Sequence, residues 1–301
     1  MDVVFNKVAG ELNNKIKIFC IFLTTPKNRI IRIRHQKNTW VKRCNAYIYA
    51  SGAEDNTIPS IKAYKDDHYR FSYAKMTNGF RYVYKHYGDK YDWFLKIDCD
   101  TYVVMENLRM SLYNRNPEKH YYSGFQFNLP TSKDKTFKYH HGGSGYVMSK
   151  KTFATLVTKG LGNKDHCRIK DNGYEDLEIG ICLHSLKIKA ADGRDKDGKI
   201  AWLPIYLEKA LTPYNNYEKH YYLHVRSVHK YENGLESLSQ YPIAFHRVKG
   251  DSMYLLEYLL YRANVAGLRN PMLIPEHENA VEESESVLQQ ISHYSDHFYK
   301  H

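Results

Sequence analysis

The apolar positions of this chain fall into short, dense runs separated by stretches of helical spacing. Residues 16–23 are dominated by Ile, Phe and Leu and stop at Thr24-Thr25-Pro26, the pattern of a strand buried on both faces. Residues 32–43 predict a basic helix containing Trp40, and residues 46–50 predict a second strand ending in Ser51-Gly52. Between 73 and 87, Met76, Phe80, Val83 and Tyr84 recur at helical spacing, and Gly88-Asp89 ends the helix. Trp93-Phe94-Leu95-Lys96-Ile97 then predicts a central strand that runs straight into Asp98-Cys99-Asp100. A strand at 121–124, a turn at Gly142-Gly143-Ser144-Gly145 and a helix at 150–157 continue the alternation, which loosens after Ala190.

Strands alternating with helices predict an α/β fold with a nucleotide-binding, Rossmann-like sheet, and in such sheets ligands sit at the C-terminal edge of the strands. The acidic triplet lies at that edge. With no internal repeat and no low-complexity linker, the chain reads as one main domain over residues 15–262. A polar lead at 1–14 precedes it and a tail at 263–301 follows, with Val281, Val287, Leu288 and Ile291 at roughly helical spacing. The lead has neither the apolar run of a signal peptide nor that of a membrane anchor, and no later run is long enough to span a bilayer.

Composition supports a folded chain: 301 residues, 43% hydrophobic and 26% charged, suffice for a sizeable core. The formal net charge of +11 invites phosphate, nucleic acid or acidic membrane. Its Lys and Arg are scattered, however, with no arginine-rich arm, zinc-finger spacing or ribonucleoprotein signature, which sets nucleic acid aside as a partner. The five cysteines, Cys20, Cys44, Cys99, Cys167 and Cys182, lack the close pairs of a structural zinc site. Two disulfides with a free thiol, or five reduced thiols, fit them equally well.

Asp98 and Asp100 are two residues apart on a strand end, so their carboxylates face one side and suit a hard cation such as magnesium or manganese. The same two residues could merely close a loop or cap a helix. Glu175-Asp176 opens an apolar helical run, where a carboxylate serves either as an ordinary N-terminal charge or as a general base for an acceptor hydroxyl. His246 stands in the apolar segment Ile243-Ala244-Phe245-His246, a setting in which a histidine is more often a satisfied core residue than a ligand. The glycine turn at 142–145 lacks the lysine of a P-loop and does not follow the first strand as a dinucleotide fingerprint does, so kinase and dehydrogenase readings fall away.

Taken in order, these motifs resemble the core 1 β1,3-galactosyltransferases of the fringe-related superfamily. The resemblance covers about residues 15–262 and is carried by His35-Gln36-Lys37-Asn38-Thr39-Trp40 with Arg43-Cys44-Asn45, and by Asp92-Trp93-Phe94-Leu95-Lys96 into the acidic triplet. It continues through Gly142-Gly143-Ser144-Gly145-Tyr146-Val147-Met148-Ser149, Glu175-Asp176-Leu177-Glu178-Ile179-Gly180, Asp192-Gly193-Arg194-Asp195, Phe245-His246 and Tyr254-Leu255-Leu256-Glu257-Tyr258.

That resemblance implies a GT-A glycosyltransferase fold and an inverting transfer of galactose from UDP-galactose to the 3-hydroxyl of O-linked N-acetylgalactosamine on a glycoprotein. It implies Mn2+ held by Asp98, Asp100 and His246, with Asp176 as the base and Glu175 the poorer candidate for that role. It further places Thr25, Asn28 and Lys75 near the nucleotide, beside Asp98. Family members are Golgi membrane proteins with a lumenal catalytic domain, which makes Cys20–Cys44 and Cys167–Cys182 the expected disulfides, leaves Cys99 free and allows a homodimer.

The sequence departs from that pattern in three places. No anchor is visible, Ser237-Leu238 replaces the family's double cysteine, and Cys99 stands where a third aspartate is usual. The aromatic stretch before Ser237 is matched only by Tyr214, Tyr217, Tyr221 and Tyr222. A non-catalytic, chaperone-like homologue and a fringe-like transferase with another donor sugar are the alternatives, and the retained Asp98 and Asp100 argue for an enzyme.

Overall fold

The computed structural model describes residues 3–129, 137–213, 221–263 and 280–297. Helix α1 (Val3–Lys15) leads into β1 (Ile18–Leu23), a broken helical segment containing α2 (Arg34–Asn38), then β2 (Ala46–Ser51), β3 (Ser60–Lys62), α3 (Ser72–Tyr87) and β4 (Trp93–Asp98). There follow β5 (Tyr102–Val103), α4 (Met105–Leu112), β6 (Tyr122–Gly124), β7 (Gln126–Asn128), β8 (Lys138–His140), β9 (Tyr146–Ser149), α5 (Lys150–Thr155) and α6 (Glu175–Ser185). The second half adds β10 (Trp202–Leu203), α7 (Leu207–Leu211), α8 (Tyr221–Arg226), β11 (Ala244–Phe245), α9 (Gly250–Tyr261) and α10 (Ala280–His297).

A six-stranded sheet in the order β3-β2-β1-β4-β9-β6 forms the centre. Its first four strands are parallel, and β9 and β6 add antiparallel pairs. This is the mixed α/β architecture expected of a GT-A-like fold. Because side chains alternate along a strand, β1 sends Phe19 and Ile21 into the core under α3 and Ile18, Cys20 and Phe22 into the opposite core. On β4, Phe94 joins the first core and Trp93, Leu95 and Ile97 the second, so Lys96 and Asp98 fall on the α3 and α6 side.

The expected strands at 16–23, 46–50, 93–97 and 121–124 and the helix at 73–87 are present, with ends shifted by one or two residues. The single basic helix expected over 32–43 is instead three pieces. Residues Arg29–Ile33 form a wide turn, α2 stops at Asn38, and Val41–Arg43 make a separate tight turn. The break lies at Thr39, whose hydroxyl donates back to the His35 carbonyl (2.8 Å) while Trp40 turns fully into the core. Likewise, the helix expected at 150–157 keeps α geometry only to Thr155 and widens over Leu156–Gly160.

Both expected disulfides are formed, Cys20–Cys44 joining β1 to the entry of β2 and Cys167–Cys182 fastening a loop to α6, while Cys99 is a free, buried thiol. The second half is clamped to the first by Glu257 of α9, which takes two hydrogen bonds from the Arg43 guanidinium (2.9 and 2.7 Å) and one from the Tyr102 hydroxyl (2.6 Å). Helices α1 and α10 pack against each other and against α4, burying Val8, Leu12, Val287 and Ile291. Tyr214 and Tyr217 lie outside the described residues, and Tyr222 packs against Phe127. Among the described residues, no helix is long and apolar enough to cross a membrane.

Candidate active site

The C-terminal ends of β1 and β4 open into a cleft of about 510 Å3, walled by the loop after β1, the start of α6, the 141–143 turn and the segment after β11. Asp98, Asp100 and His246 meet on its floor, each offering one ligand atom, with all three atoms within 4.8 Å of one another. Asp100 joins Asp98 through a turn and not along an extended strand: β4 ends at Asp98, and the Thr101 amide folds back onto the Asp98 carbonyl (3.3 Å). Gln36 holds that turn from α2, its amide nitrogen donating to the carbonyls of Asp98 (3.1 Å) and Thr101 (3.0 Å).

His246 reaches the cleft because β11 pairs with both β10 and β5, and its own amide continues the ladder to the Leu203 carbonyl (3.1 Å). Its Nδ1 lies 2.9 Å from the Pro204 carbonyl, which can only accept, so Nδ1 carries a proton and Nε2 is the ring nitrogen left to face the cleft. That Nε2 points to Asp100 Oδ1 at 3.6 Å. The histidine is therefore oriented as ligating histidines are, and not merely satisfied within a core. Burial works to raise the Asp100 carboxyl, but the His246 contact and the Arg32 guanidinium (3.1 Å) outweigh it and hold the group below the ordinary carboxylate range. The donor set, two carboxylates and an imidazole nitrogen beside open space, suits a divalent cation that keeps positions for phosphate oxygens.

Gly143 is what lets this floor close. A Cβ there would stand 2.2 Å from His246 Cε1 and 2.7 Å from His141 Cε1, so the turn needs a residue with no side chain. Cys99 packs with the core beneath the cleft and borders the cleft itself, accepting from Arg32 (3.7 Å), while burial, first, and the neighbouring Asp100 charge push its thiol up to about 11 and keep it neutral.

Asp176, in the first turn of α6, accepts from the Gly142 amide at Oδ2 (2.9 Å) and from the Leu177 amide at Oδ1 (2.9 Å). Both contacts fix the carboxylate at the cleft wall, and each oxygen retains a further acceptor position. Glu175 is differently placed. It is 4% exposed, accepts from the Tyr146 hydroxyl and pairs with Lys96 at 2.6 Å, so its oxygens are consumed by the interior. Burial pushes its carboxyl up to about 7, against the pull of the Lys96 ammonium.

Lys96 joins the two halves of the cleft. Its Nζ, on a side chain 1% exposed, contacts Glu175, Asp98 Oδ1 (2.8 Å) and the Gly142 carbonyl (3.1 Å). Burial alone would lower its pKa, but the charges of Asp98 and Glu175 raise it and keep the ammonium protonated. Lys96 is given no role by the motifs, although a lysine inside an otherwise apolar central strand is a visible signal, and Arg32, His141 and Arg247, which carry no such signal, also line the cleft.

Thr25, Asn28 and Lys75 line the same cleft. Lys75 is 2% exposed and engaged by the Thr24 carbonyl (3.0 Å) and by Asp67, and so braces the loop after β1.

The Fringe-like family model matches residues 13–194. The chain is 30% identical over 275 residues to glycoprotein-N-acetylgalactosamine 3-beta-galactosyltransferase 1 of Xenopus laevis, across 91% of this chain and 74% of that protein. It is 28% identical over 110 residues to chondroitin sulfate synthase 3 of Mus musculus, which is 34% of this chain and 12% of that protein. The family match takes in Asp98, Asp100, Glu175 and Asp176 and stops short of His246, which the longer alignment and the geometry bring in. A model covering more than half of the residues and a relative aligned along nearly all of them agree with the sheet and its cleft: the chain belongs to the Fringe-like family of glycosyltransferases.

Proposed function

We propose that this protein is an inverting β1,3-galactosyltransferase that moves galactose from UDP-galactose to the 3-hydroxyl of N-acetylgalactosamine on a glycoprotein. The observation that carries the reading is one cleft holding both a three-ligand cation site and, on a separate wall, the carboxylate of Asp176. The name of the Xenopus relative supports the donor and acceptor. Two disulfides support a lumenal, Golgi setting, an oxidising compartment in which such bonds persist.

Asp98, Asp100 and His246 would hold Mn2+, with His246 fixed by Pro204 and the Asp98 turn fixed by Gln36. When bound, the cation supplies positive charge against the negative charge that gathers on the departing diphosphate. Asp176 takes the proton of the acceptor 3-hydroxyl as that oxygen forms its bond to the anomeric carbon and the bond to UDP breaks, UDP leaving with the electron pair. The proton then passes from Asp176 to solvent. The Gly142 and Leu177 amides hold the carboxylate in position throughout, and Lys96 keeps Glu175 and Asp98 from repelling each other.

The test is UDP release from UDP-galactose with a GalNAc-threonine peptide and manganese. Turnover should need the metal, vanish in Asp98→Ala and fall by about 100-fold to 10,000-fold in Asp176→Ala. Turnover with UDP-N-acetylglucosamine in place of UDP-galactose would replace the donor by a fringe-like one. No turnover with any UDP-sugar would leave the non-catalytic reading.

A further inference from the structure

A second cavity, of about 190 Å3, shares no lining residue with the active-site cleft. It lies between the β6–β7 corner, Trp202 of β10 and the segment after α8. Four of its lining residues carry a buried polar atom with no partner among the described residues: Trp202 Nε1, Gln126 Oε1, Ser227 Oγ and the Tyr231 hydroxyl. Trp202 is 1% exposed, Tyr231 4% and Gln126 7%, so these three side chains cannot turn to bulk water, and Ser227 is half-buried. Buried polar atoms in folded proteins are almost always satisfied, and a cluster of orphans around one cavity marks a place where something else satisfies them.

The chemistry of the lining narrows what that is. The charged residues at the rim are already engaged: Arg194 pairs with Asp192 (2.8 Å), Lys199 donates to the Glu236 carbonyl and Lys230 pairs with Glu232 (2.5 Å). No ionic ligand is called for. What remains unpaired is an indole donor, an amide acceptor and two hydroxyls that serve as either, set among the aromatic side chains of Trp202, Phe125 and Tyr231. Neutral hydroxyls around an apolar ring face are the complement of that surface. The volume of about 190 Å3 suits a single six-membered ring and not a chain or a nucleotide.

We propose that this cavity is a binding site for one neutral pyranose, separate from the donor cleft. The indole N–H of Trp202 and the oxygens of Gln126, Ser227 and Tyr231 meet the hydroxyls, and the aromatic ring of Phe125 borders the sugar's apolar C–H surface. The site adjoins the catalytic region through the strand pair that carries Trp202 opposite Ala244, two residues before His246.

The experiment is saturation-transfer NMR on the full chain with free galactose, N-acetylgalactosamine and glucose, each without nucleotide or metal. At least one sugar should show saturation transfer, and its affinity should fall about fivefold or more in Trp202→Phe, which keeps the ring and removes the donor, and in Ser227→Ala. Asp176→Asn, in the cleft, should leave it unchanged. Absence of transfer from all three sugars would mean that the cavity holds only water and would overturn the proposal. Binding that persists in Trp202→Phe and Ser227→Ala, or that is lost in Asp176→Asn, would also overturn it. Thermal unfolding checks that the variants are folded, and Ser227→Ala carries the test should Trp202→Phe fail to fold.

Discussion

Replacing Lys96 by methionine keeps the reach of the side chain and deletes an ammonium that stands between two carboxylates inside the sheet. The Nζ is 2.6 Å from Glu175 and 2.8 Å from Asp98, and the side chains of Lys96 and Glu175 are 1% and 3% exposed. Among the described residues Lys96 is the cation paired with Glu175, so the variant leaves a buried charge uncompensated, at a cost of about 3–5 kcal/mol. Glu175 escapes part of that cost by taking up a proton, since burial already pushes its carboxyl up to about 7. The loss should therefore be larger at pH 8 than at pH 6. Glu175→Gln alone should cost less, because Lys96 keeps Asp98 and the Gly142 carbonyl. The double variant Lys96→Met/Glu175→Gln should regain about 2–3 kcal/mol of the summed single losses. Urea unfolding of the four proteins at pH 8, with a shared m value, measures each quantity. Single losses that add to within about 0.5 kcal/mol, or a Lys96→Met cost below about 1 kcal/mol, would refute the assignment of Lys96 as a buried counter-charge.

Gly143→Ala drives a methyl into the space of the His246 ring, which Pro204 holds from behind. Manganese affinity, read by calorimetry, should fall about 10-fold to 100-fold while the unfolding midpoint moves little. His140 is fully buried, and burial lowers its pKa from 6.5 to about 4. The unfolded chain then binds more protons between those values, so this contribution is whole above pH 6.5 and is lost as the pH falls toward 4. That loss amounts to about 3 kcal/mol. Urea midpoints across that window should decline in the native protein and flatten in His140→Gln. Cys20 and Cys44 are 24 residues apart, so replacing both by alanine should cost about 3 kcal/mol of stability, and reduction of the native protein with dithiothreitol should reproduce most of that loss.

What the chain discloses before folding depends on whether a feature is local. The strands of the parallel core are legible because each is a dense apolar run, and the acidic triplet is legible because it terminates one of them. The helix break at Thr39 is not, since it follows from a hydroxyl turning back on the main chain and from a tryptophan finding the core. Residues 1–14 look polar as a block, yet Val8 and Leu12 continue the four-residue spacing of Ile16 and fold as α1 against α10. His246 is the clearest case. Nothing in its neighbours distinguishes it from a core histidine, and only the pairing of β11 with β5 and β10 carries it to Asp100. Lys96 is the converse, a residue whose oddity is visible in sequence and whose partner, Glu175, is found only through the tertiary fold.

The delivery of His246 by a late strand gives the protein a particular way to fail. Every strand of the six-stranded sheet, both disulfides and the whole of α6 precede Trp202 in the chain. A product shortened by a premature stop codon before Ala244 would retain all of those elements, together with Asp98, Asp100 and Asp176. It would lack the histidine and the Arg43–Glu257 clamp. Such a fragment would carry the family's most visible sequence motifs while holding an incomplete ion site. In a genome survey, a truncated reading frame of this kind would score as an intact enzyme, and the position of its last codon would separate it from a working one.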